Sequence, residues 1–156
     1  MPEKISIRRA GPQDMRAVFE LSNDPVVRAN SIHTEPIAWE THVAWYTNAI
    51  SDAKIKFFVV EANDGRIAGV LRLNNERSGW VVTIHVGEDF RNQSLGQWML
   101  SEIVRQTRIR RFIAFVKPTN VPSKRLFIRM GYRNMGVEHR QVGAHLVALN
   151  RFVFTR

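Results

Sequence analysis

The chain has 156 residues, which suits one domain with a sizeable core and is short for two. It has no cysteine, which excludes a disulfide framework, a cysteine-bound zinc and a thiol nucleophile. With 44% hydrophobic and 24% charged residues we expect a single domain over residues 1–156, located in the cytoplasm. No apolar run reaches the roughly 18 residues of a membrane span, and residues 1–7 lack the apolar stretch of a signal peptide.

The positive charge is unevenly distributed along the chain. The net charge is +9, but residues 1–104 hold 11 basic and 13 acidic residues, whereas residues 105–156 hold 12 basic residues and only Glu138. This asymmetry indicates an anionic partner, which could be a nucleic acid, a phosphorylated cofactor or a membrane surface. A solvated basic face is the alternative that needs no partner.

The first half of the chain begins with a strand-like pattern and continues with two helices. A strand is predicted over 4–9, and a helix follows Gly11-Pro12 because proline suits the first helical turn. That helix ends at residues 23–25, and residues 26–38 are expected to be irregular. A second helix is predicted over 38–50, where Trp39, Val43, Tyr46 and Ile50 form one apolar stripe.

The remaining elements alternate between strands and helices. Strands are predicted over 56–61, 66–73, 80–86, 111–116, 132–138 and 144–154. Helices are predicted over 94–107 and 120–130, the second ended by Gly131. The order predicts an α/β protein of mixed type, with a mostly antiparallel sheet of about seven strands flanked by about four helices.

The stretch from Val82 to Leu100 is the segment most suggestive of chemistry. A strand leads into a loop of small residues that opens a helix, and unpaired N–H groups at a helix N-terminus attract anions. Gly96 allows a phosphate to approach closely, Ser94 is small and polar, and Arg91 adds positive charge. The spacing is neither that of a P-loop nor that of a Rossmann fingerprint. A purely structural helix start is the alternative.

Two motifs in this chain resemble those of the GNAT superfamily, the Gcn5-related N-acetyltransferases. Arg91-Asn92-Gln93-Ser94-Leu95-Gly96 is similar to motif A, Arg/Gln-x-x-Gly-x-Gly/Ala, with Ser94 replacing the first glycine. Residues 120–132, NVPSKRLFIRMGY, are similar to N-x-x-[AS]-x-x-[LF]-[YF]-x-x-x-G-[FY]. The element order, the length and the opening 7–10 (IRRA) are also typical, so the resemblance covers essentially the whole chain and implies a GNAT-like fold.

The resemblance implies transfer of an acetyl group from acetyl-CoA to a primary amine by direct attack in a ternary complex. It implies cofactor contacts along the strand 84–86, in the loop and in the second motif. These are Ile84, Val86, Arg91, Asn92, Gln93, Ser94, Leu95, Gly96, Gln97, Asn120, Ser123 and Phe127. Many relatives have a tyrosine in place of Phe127 that protonates the departing thiolate. Here another group or water supplies that proton, or the thiolate leaves unprotonated.

The acceptor amine must lose a proton before it can attack. Many relatives hold a Glu or His at positions matching Trp80 and Val82, and neither residue here can ionise. The remaining candidate bases are His42 and His85, because the pKa range of histidine suits the role. The alternatives are that His85 points to the opposite face of the sheet and that His42 has a surface or hydrogen-bonding role.

The run from residue 28 to residue 46 resembles a segment of bacterial GNATs that acetylate nucleotide-linked amino sugars. This resemblance implies acceptor contacts at Arg28, Ser31 and Glu40, with Trp80 nearby. The acceptor is therefore expected to be a small-molecule amine. The alternatives are a protein or peptide acceptor and a non-catalytic binding module with the same fold. Neither a membrane nor a nucleic-acid motif is visible, no metal site is expected, and a homodimer is left open.

Overall fold

The structure, a computed structural model, describes residues 4–156; residues 1–3 of the amino-terminal segment discussed above lie outside it. Within the described residues, seven strands form one sheet. They are β1 (Ile5–Arg9), β2 (Ile55–Ala62), β3 (Ile67–Glu76), β4 (Gly79–Val86), β5 (Arg111–Val116), β6 (Arg133–Val142) and β7 (His145–Thr155). Each lies within a few residues of its predicted range, which confirms the predicted fold class.

Five α-helices flank the sheet in the described part of the chain. They are α1 (Met15–Ser22), α2 (Pro25–Asn30), α3 (Trp39–Ala49), α4 (Leu95–Gln106) and α5 (Val121–Arg129). The sequence predicted about four, and α2 lies in the segment that was expected to be irregular. It forms because Pro25 occupies the first turn and the Asp24 carboxylate accepts hydrogen bonds from the N–H groups of Val26 and Val27, at 2.9 and 3.2 Å.

The strands are arranged in the order β1-β2-β3-β4-β5-β7-β6, and every neighbouring pair except β4–β5 is antiparallel. The parallel pair is short, since only Trp80 with Phe112 and Val81 with Ile113 are in register. Beyond that point residues 82–86 of β4 and 114–116 of β5 diverge. The sheet therefore opens into a V between its two central strands.

Two apolar clusters pack on opposite faces of the sheet. Under α4 and α5 lie Leu71, Met99 and Phe112, all fully buried. On the other face Val59 packs with Tyr46 of α3. Strand residues alternate between these clusters, as the period of two in a β-strand requires. Within residues 4–156, none of the helices has the length and apolar character needed to cross a membrane.

Candidate active site

The V between β4 and β5 leaves backbone hydrogen-bonding groups available along one edge of β4. Ile84 and Val86 are paired with β3 on one side, while the pairing with β5 has already ended at Val81. An extended ligand can add to such an edge through main-chain hydrogen bonds. The opening therefore lies at the strand segment, residues 84–86, that was predicted to contact the cofactor.

The loop between β4 and α4 presents backbone N–H groups at the mouth of this V. Asn92 and Ser94 have positive φ angles of 60° and 61°, and Ser94 is the residue that precedes the first turn of α4. Its side chain forms no capping hydrogen bond. The N–H groups of the first helical turn have no acceptor within the helix, and the helix dipole favours negative charge there. The loop thus has the chemistry of a pyrophosphate site.

Gly96 serves the packing of α4 as well as the approach of a ligand. A Cβ atom built on Gly96 would lie 3.1 Å from Cδ2 of Leu126 and 4.0 Å from Cδ1 of Ile84. The absence of a side chain therefore lets α4 contact α5 closely. The sequence suggested the phosphate approach alone, since the contact with Leu126 comes from a helix distant in sequence.

We expect Ser94→Gly to stabilise the protein, because the left-handed conformation at φ 61° strains an L-residue and not glycine. The free energy of unfolding should rise by about 0.5–1 kcal/mol in urea denaturation. Ser101→Gly is the matched control, since Ser101 lies exposed within α4. There glycine should cost about 0.5–1 kcal/mol instead. Destabilisation by both changes would show that Ser94 contributes a contact that outweighs its strain.

Arg91 links the loop to α2. Its guanidinium donates to the Asp24 carboxylate at 2.8 Å, and Lys117 at the end of β5 donates to the Ala29 carbonyl at 3.2 Å. Burial favours the protonated form of Asp24, but hydrogen bonds from Arg91 and from Val27 N–H hold the pKa of this carboxyl below its ordinary value. Arg91 and Lys117 therefore both connect α2 to segments that border the V.

The second motif contains α5, which lies beside the start of α4. The Asn120 side-chain oxygen accepts a hydrogen bond from Ser123 N–H at 3.3 Å and so caps the helix. Phe127 is buried, with its ring centroid 5.0 Å from that of Tyr132 and 6.1 Å from that of Phe152. The phenylalanine is thus a core residue of α5, while Asn120 and Ser123 lie at the end where the helix begins.

A cluster of polar side chains lies on the face of the sheet that packs against α1 and α3. The register pairs Arg72 of β3 with Thr83, and Val70 with His85, so Arg72 and His85 point to the face of α1 and α3. Arg72 donates to the Asn74 side-chain oxygen at 2.9 Å, and its guanidinium lies 5.0 Å from the Trp45 ring. Burial lowers the pKa of Arg72 to about 10, and no carboxylate among residues 4–156 pairs with it.

His85 is neutral at neutral pH in this surrounding. Burial, and then the positive charges of Arg72 and Arg28, lower the pKa of His85 to about 4. Because the charge of Arg28 affects the pKa of His85, this α2 residue and His85 interact electrostatically. Arg28 itself donates to the Ser22 and His33 carbonyls at 2.7 and 2.8 Å and to the Ser31 hydroxyl at 3.1 Å.

His42 lies in the core of the molecule. It is 1% exposed, and its Nε2 atom is 2.9 Å from the Met15 carbonyl. Its ring packs among Phe19, Trp39 and Tyr46, and burial lowers its pKa. The structure therefore gives His42 a hydrogen-bonded place between α1 and α3, away from solvent.

The predicted acceptor residues are only partly brought together. Arg28 and Ser31 share a hydrogen bond, and the charge of Arg28 acts on His85. Glu40 is exposed in the first turn of α3. Trp80 lies on the opposite face of the sheet, where Lys56 is 5.3 Å from its ring. Successive side chains of β4 point to opposite faces of the sheet, so Trp80 and His85 lie on different faces.

The residue that the sequence interpretation missed is Arg72. Its signal is a charged residue inside the apolar run Ala68-Gly69-Val70-Leu71-Arg72-Leu73, where a buried strand is otherwise expected to exclude charge. Glu76 lies on the same face of β3 as Arg72, four residues further along the strand. Arg140 lies 3.9 Å from the centre of the Phe115 ring and pairs with Glu76 at 3.0 Å.

The pH dependence of stability should report His42, which is buried, and His85, which is partly buried. Both pKa values are lowered below the ordinary 6.5, so the unfolded chain takes up protons that the folded protein does not. The free energy of unfolding should therefore fall as the pH drops from about 6.5 towards 4. Urea denaturation at several pH values measures this slope. His85→Gln should flatten it, whereas His139→Gln, on the exposed strand β6, should leave it unchanged; equal slopes for both variants would contradict the expectation.

Comparison with known proteins gives one family match and several relatives. The profile described as "Acetyltransferase (GNAT) family" matches residues 16–132, about three quarters of the chain. YwnH of Bacillus subtilis (strain 168), provisionally named a phosphinothricin acetyltransferase, is 25% identical over 143 residues, which cover 85% of this chain and 86% of that protein.

Solved structures share the fold at lower identity. A spermidine N-acetyltransferase from Vibrio cholerae, in complex with CoA and spermine, superimposes with a TM-score of 0.81 at 16% identity, covering 97% of this chain and 95% of that one. A phosphinothricin acetyltransferase from Sinorhizobium meliloti, in complex with AcCoA, gives a TM-score of 0.78 at 15% identity, covering 97% and 88%.

Proposed function

Since the chain belongs to the GNAT family and is an acetyl-CoA-dependent N-acetyltransferase, we propose that its acceptor is a small primary amine that also carries a negatively charged group. The observation that carries the proposal is Arg72. Arg72 is partly buried, its guanidinium has no carboxylate partner among residues 4–156, and burial lowers its pKa, so a bound anion would stabilise the charged form. We call the surroundings of Arg72 and His85 the Arg72 pocket, and the charge of Arg28 also acts on His85 there.

The donor half of the site supports the same reaction. The V between β4 and β5 offers backbone groups to an extended arm, and the first turn of α4 offers N–H groups to a pyrophosphate. We place the residues from Ile84 to Val86 and from Arg91 to Gln97 along the donor, with Asn120 and Ser123 beside it. This arrangement places the thioester in the V, at the part of β4 where the His85 side chain faces the Arg72 pocket.

Two of the relatives are named for different acceptors, phosphinothricin and spermidine, which differ in charge. Phosphinothricin is an amino acid with a phosphinate group, so it combines an amine with two anionic groups. Spermidine is a polycation, which the charges of Arg72 and Arg28 disfavour. The pocket therefore favours amino-acid-like acceptors over polyamines.

A nucleotide-linked amino sugar is the second candidate. It is supported by Arg28 and Ser31, which the structure brings together at 3.1 Å and which match the run in the sequence that suggested it. Its diphosphate also supplies negative charge. The two candidates differ in size and in where the charge lies relative to the amine, so a substrate screen separates them.

In this reaction the ammonium group of the acceptor loses two protons: one before attack, which gives the neutral amine, and one from the same nitrogen after it has attacked the thioester carbonyl, which passes to solvent. The new bond is N–C, the bond that breaks is C–S, and the thiolate departs. Neutral His85 can accept the ammonium proton and pass it to solvent, and an anionic acceptor beside Arg72 would raise the pKa of His85 by offsetting that charge. Phe127 has no proton to give, so we propose that the thiolate leaves as such.

We expect His85→Ala to lower kcat by about a hundredfold with a smaller change in KM, since a positioned proton acceptor contributes to that extent. His42→Ala should instead lower the melting temperature and leave the shape of the pH–rate profile unchanged, because its ring is buried at the Met15 carbonyl. Steady-state kinetics from pH 6 to 9 measure both. An unchanged kcat for His85→Ala would remove His85 from the mechanism.

The proposed function is tested by a screen for CoA release. Acetyl-CoA alone should raise the melting temperature, since a ligand of the folded state stabilises it. Phosphinothricin and common amino acids should then release CoA faster than spermidine does. A nucleotide-linked amino sugar as the best substrate would select the second candidate. Release only with a peptide, or no stabilisation by acetyl-CoA, would contradict the proposal.

The location of the reaction also remains a proposal. A chain without cysteine suits the reducing cytoplasm, and we propose that compartment.

A further inference from the structure

A second cleft lies at the opposite end of α4 from the pyrophosphate loop. It has a volume of about 670 Å³. We call it the basic cleft and define it by four cationic and two aromatic side chains: Arg9, Lys56, Arg108, Arg110, Phe58 and Trp80. They come from β1, β2, β4 and the segment that joins α4 to β5. A cleft of this volume is in the range of sites for small ligands.

The basic cleft carries positive charge without compensation. No acidic residue lines it, and none of its four cations forms an ion pair with a carboxylate in the part of the chain that the structure describes. Arg9 lies 5.3 Å from the centre of the Phe58 ring, and Lys56 lies 5.3 Å from that of Trp80. Four like charges in one concave surface raise the local potential and concentrate anions there.

The segment that holds Arg108 and Arg110 is held in place by hydrogen bonds from Arg156. The Arg156 guanidinium donates to the Ile109 carbonyl at 2.7 Å and to the Thr107 carbonyl, and Arg156 N–H donates to the Arg110 carbonyl at 3.0 Å. The two arginines are therefore presented from a backbone that is already ordered. Such pre-organisation reduces the entropy that a ligand must offset on binding.

The basic cleft is separate from both halves of the active site. The twelve residues of α4 lie between it and the loop at Ser94, a span of roughly 18 Å. The Arg72 pocket lies on the other face of the sheet, because Trp80 and His85 point in opposite directions. Neither acetyl-CoA nor the acceptor thus accounts for these four cations.

We propose that the basic cleft binds a compact anion that bears two or more phosphate groups. Arginine matches phosphate because its planar fork donates two parallel hydrogen bonds, and three of the four cations are arginines. A single phosphate would leave much of the charge uncompensated. The site also accounts for part of the positive charge in the last third of the chain, which the active site does not use.

The test is a calorimetric titration of the full chain with tripolyphosphate at constant ionic strength, carried out with and without saturating acetyl-CoA. Arg108→Glu/Arg110→Glu should weaken tripolyphosphate binding by about tenfold or more. The matched control is Arg129→Glu/Arg133→Glu, which makes the same charge change at exposed residues of α5 and β6. The control should change the affinity by no more than about twofold, as expected of screened surface charges.

Several outcomes would overturn the proposal. Equal loss in the two double variants would show a general charge effect, and loss of binding in the presence of acetyl-CoA would place the anion in the donor site. Binding of a single-stranded ribo-oligonucleotide without binding of tripolyphosphate would assign the cleft to nucleic acid. Arg9→Gln is the milder variant, and unchanged affinity for it in a folded protein would also count against the cleft. Acetyl-CoA binding is measured separately, so failure here leaves the proposed function untouched.

Discussion

Gly96→Glu is expected to abolish acetyl-CoA binding, with the affinity falling by about a thousandfold. The carboxylate would stand at the first turn of α4, where the N–H groups and the helix dipole attract the pyrophosphate. It would repel the donor and compete for the same N–H groups. Calorimetric titration with acetyl-CoA measures the loss, and circular dichroism confirms that the variant is folded.

Gly96→Ala separates this charge effect from the effect of bulk. A Cβ at this position meets only the flexible end of Leu126, at 3.1 Å, so the side chain can yield by a few tenths of an ångström. Alanine also gains about 0.5–1 kcal/mol of helix propensity, which offsets part of that contact. We expect acetyl-CoA affinity within about threefold of the original protein. If alanine were as damaging as glutamate, the packing of α4 on α5 and not the charge would control the donor site.

Arg72→Met should raise the KM for the anionic acceptor by about a hundredfold, because truncating one partner of a buried charge pair costs about 2–5 kcal/mol. Methionine keeps much of the length of the side chain and its contact with Trp45. The affinity for acetyl-CoA should remain unchanged, since we place the donor along β4 and α4. Loss of the Arg72 charge should also raise the pKa of His85, which the pH–rate profile can detect.

Two controls make the Arg72 result specific. Arg77→Met makes the same replacement at an exposed turn residue and should leave the KM unchanged. Arg72→Lys keeps the charge but not the planar fork, so it should recover only part of the affinity. A neutral amine of similar size, without the anionic group, should be used equally by the original protein and by Arg72→Met. An unchanged KM for the anionic acceptor would disprove the role of Arg72.

Local patterns were sufficient for most of the fold because they reflect the immediate neighbourhood of each residue. The apolar run of β2 and the helix end at Gly131 each act over a few residues. The helix α2 escaped prediction because six residues form too short a segment for periodicity. Its stability comes from the Asp24 cap and from Arg91, which lies in a loop far away in sequence.

The loop proposed to bind the pyrophosphate could be predicted from the sequence because its residues are contiguous. Ser94 shows the limit of that approach, since only the structure supplied its positive φ angle of 61°. The place of His42 was also present in the pattern. It lies three residues after Trp39 and four before Tyr46, so helical spacing puts it on the buried stripe.

The sequence by itself determined the family, the order of the strands and of the helices other than α2, and the loop that opens α4, because each of these depends on residues close together along the chain. Only the tertiary structure decided which distant charges meet. Arg28, Arg72 and His85 come from α2, β3 and β4, and no spacing rule connects them. The position in space of the positive charge from the last third of the chain is likewise decided by the tertiary structure. Strand pairing and the end of α4 bring Arg9 and Lys56 beside Arg108 and Arg110. Coulomb interactions depend on distance in space and on burial, which sequence separation does not encode.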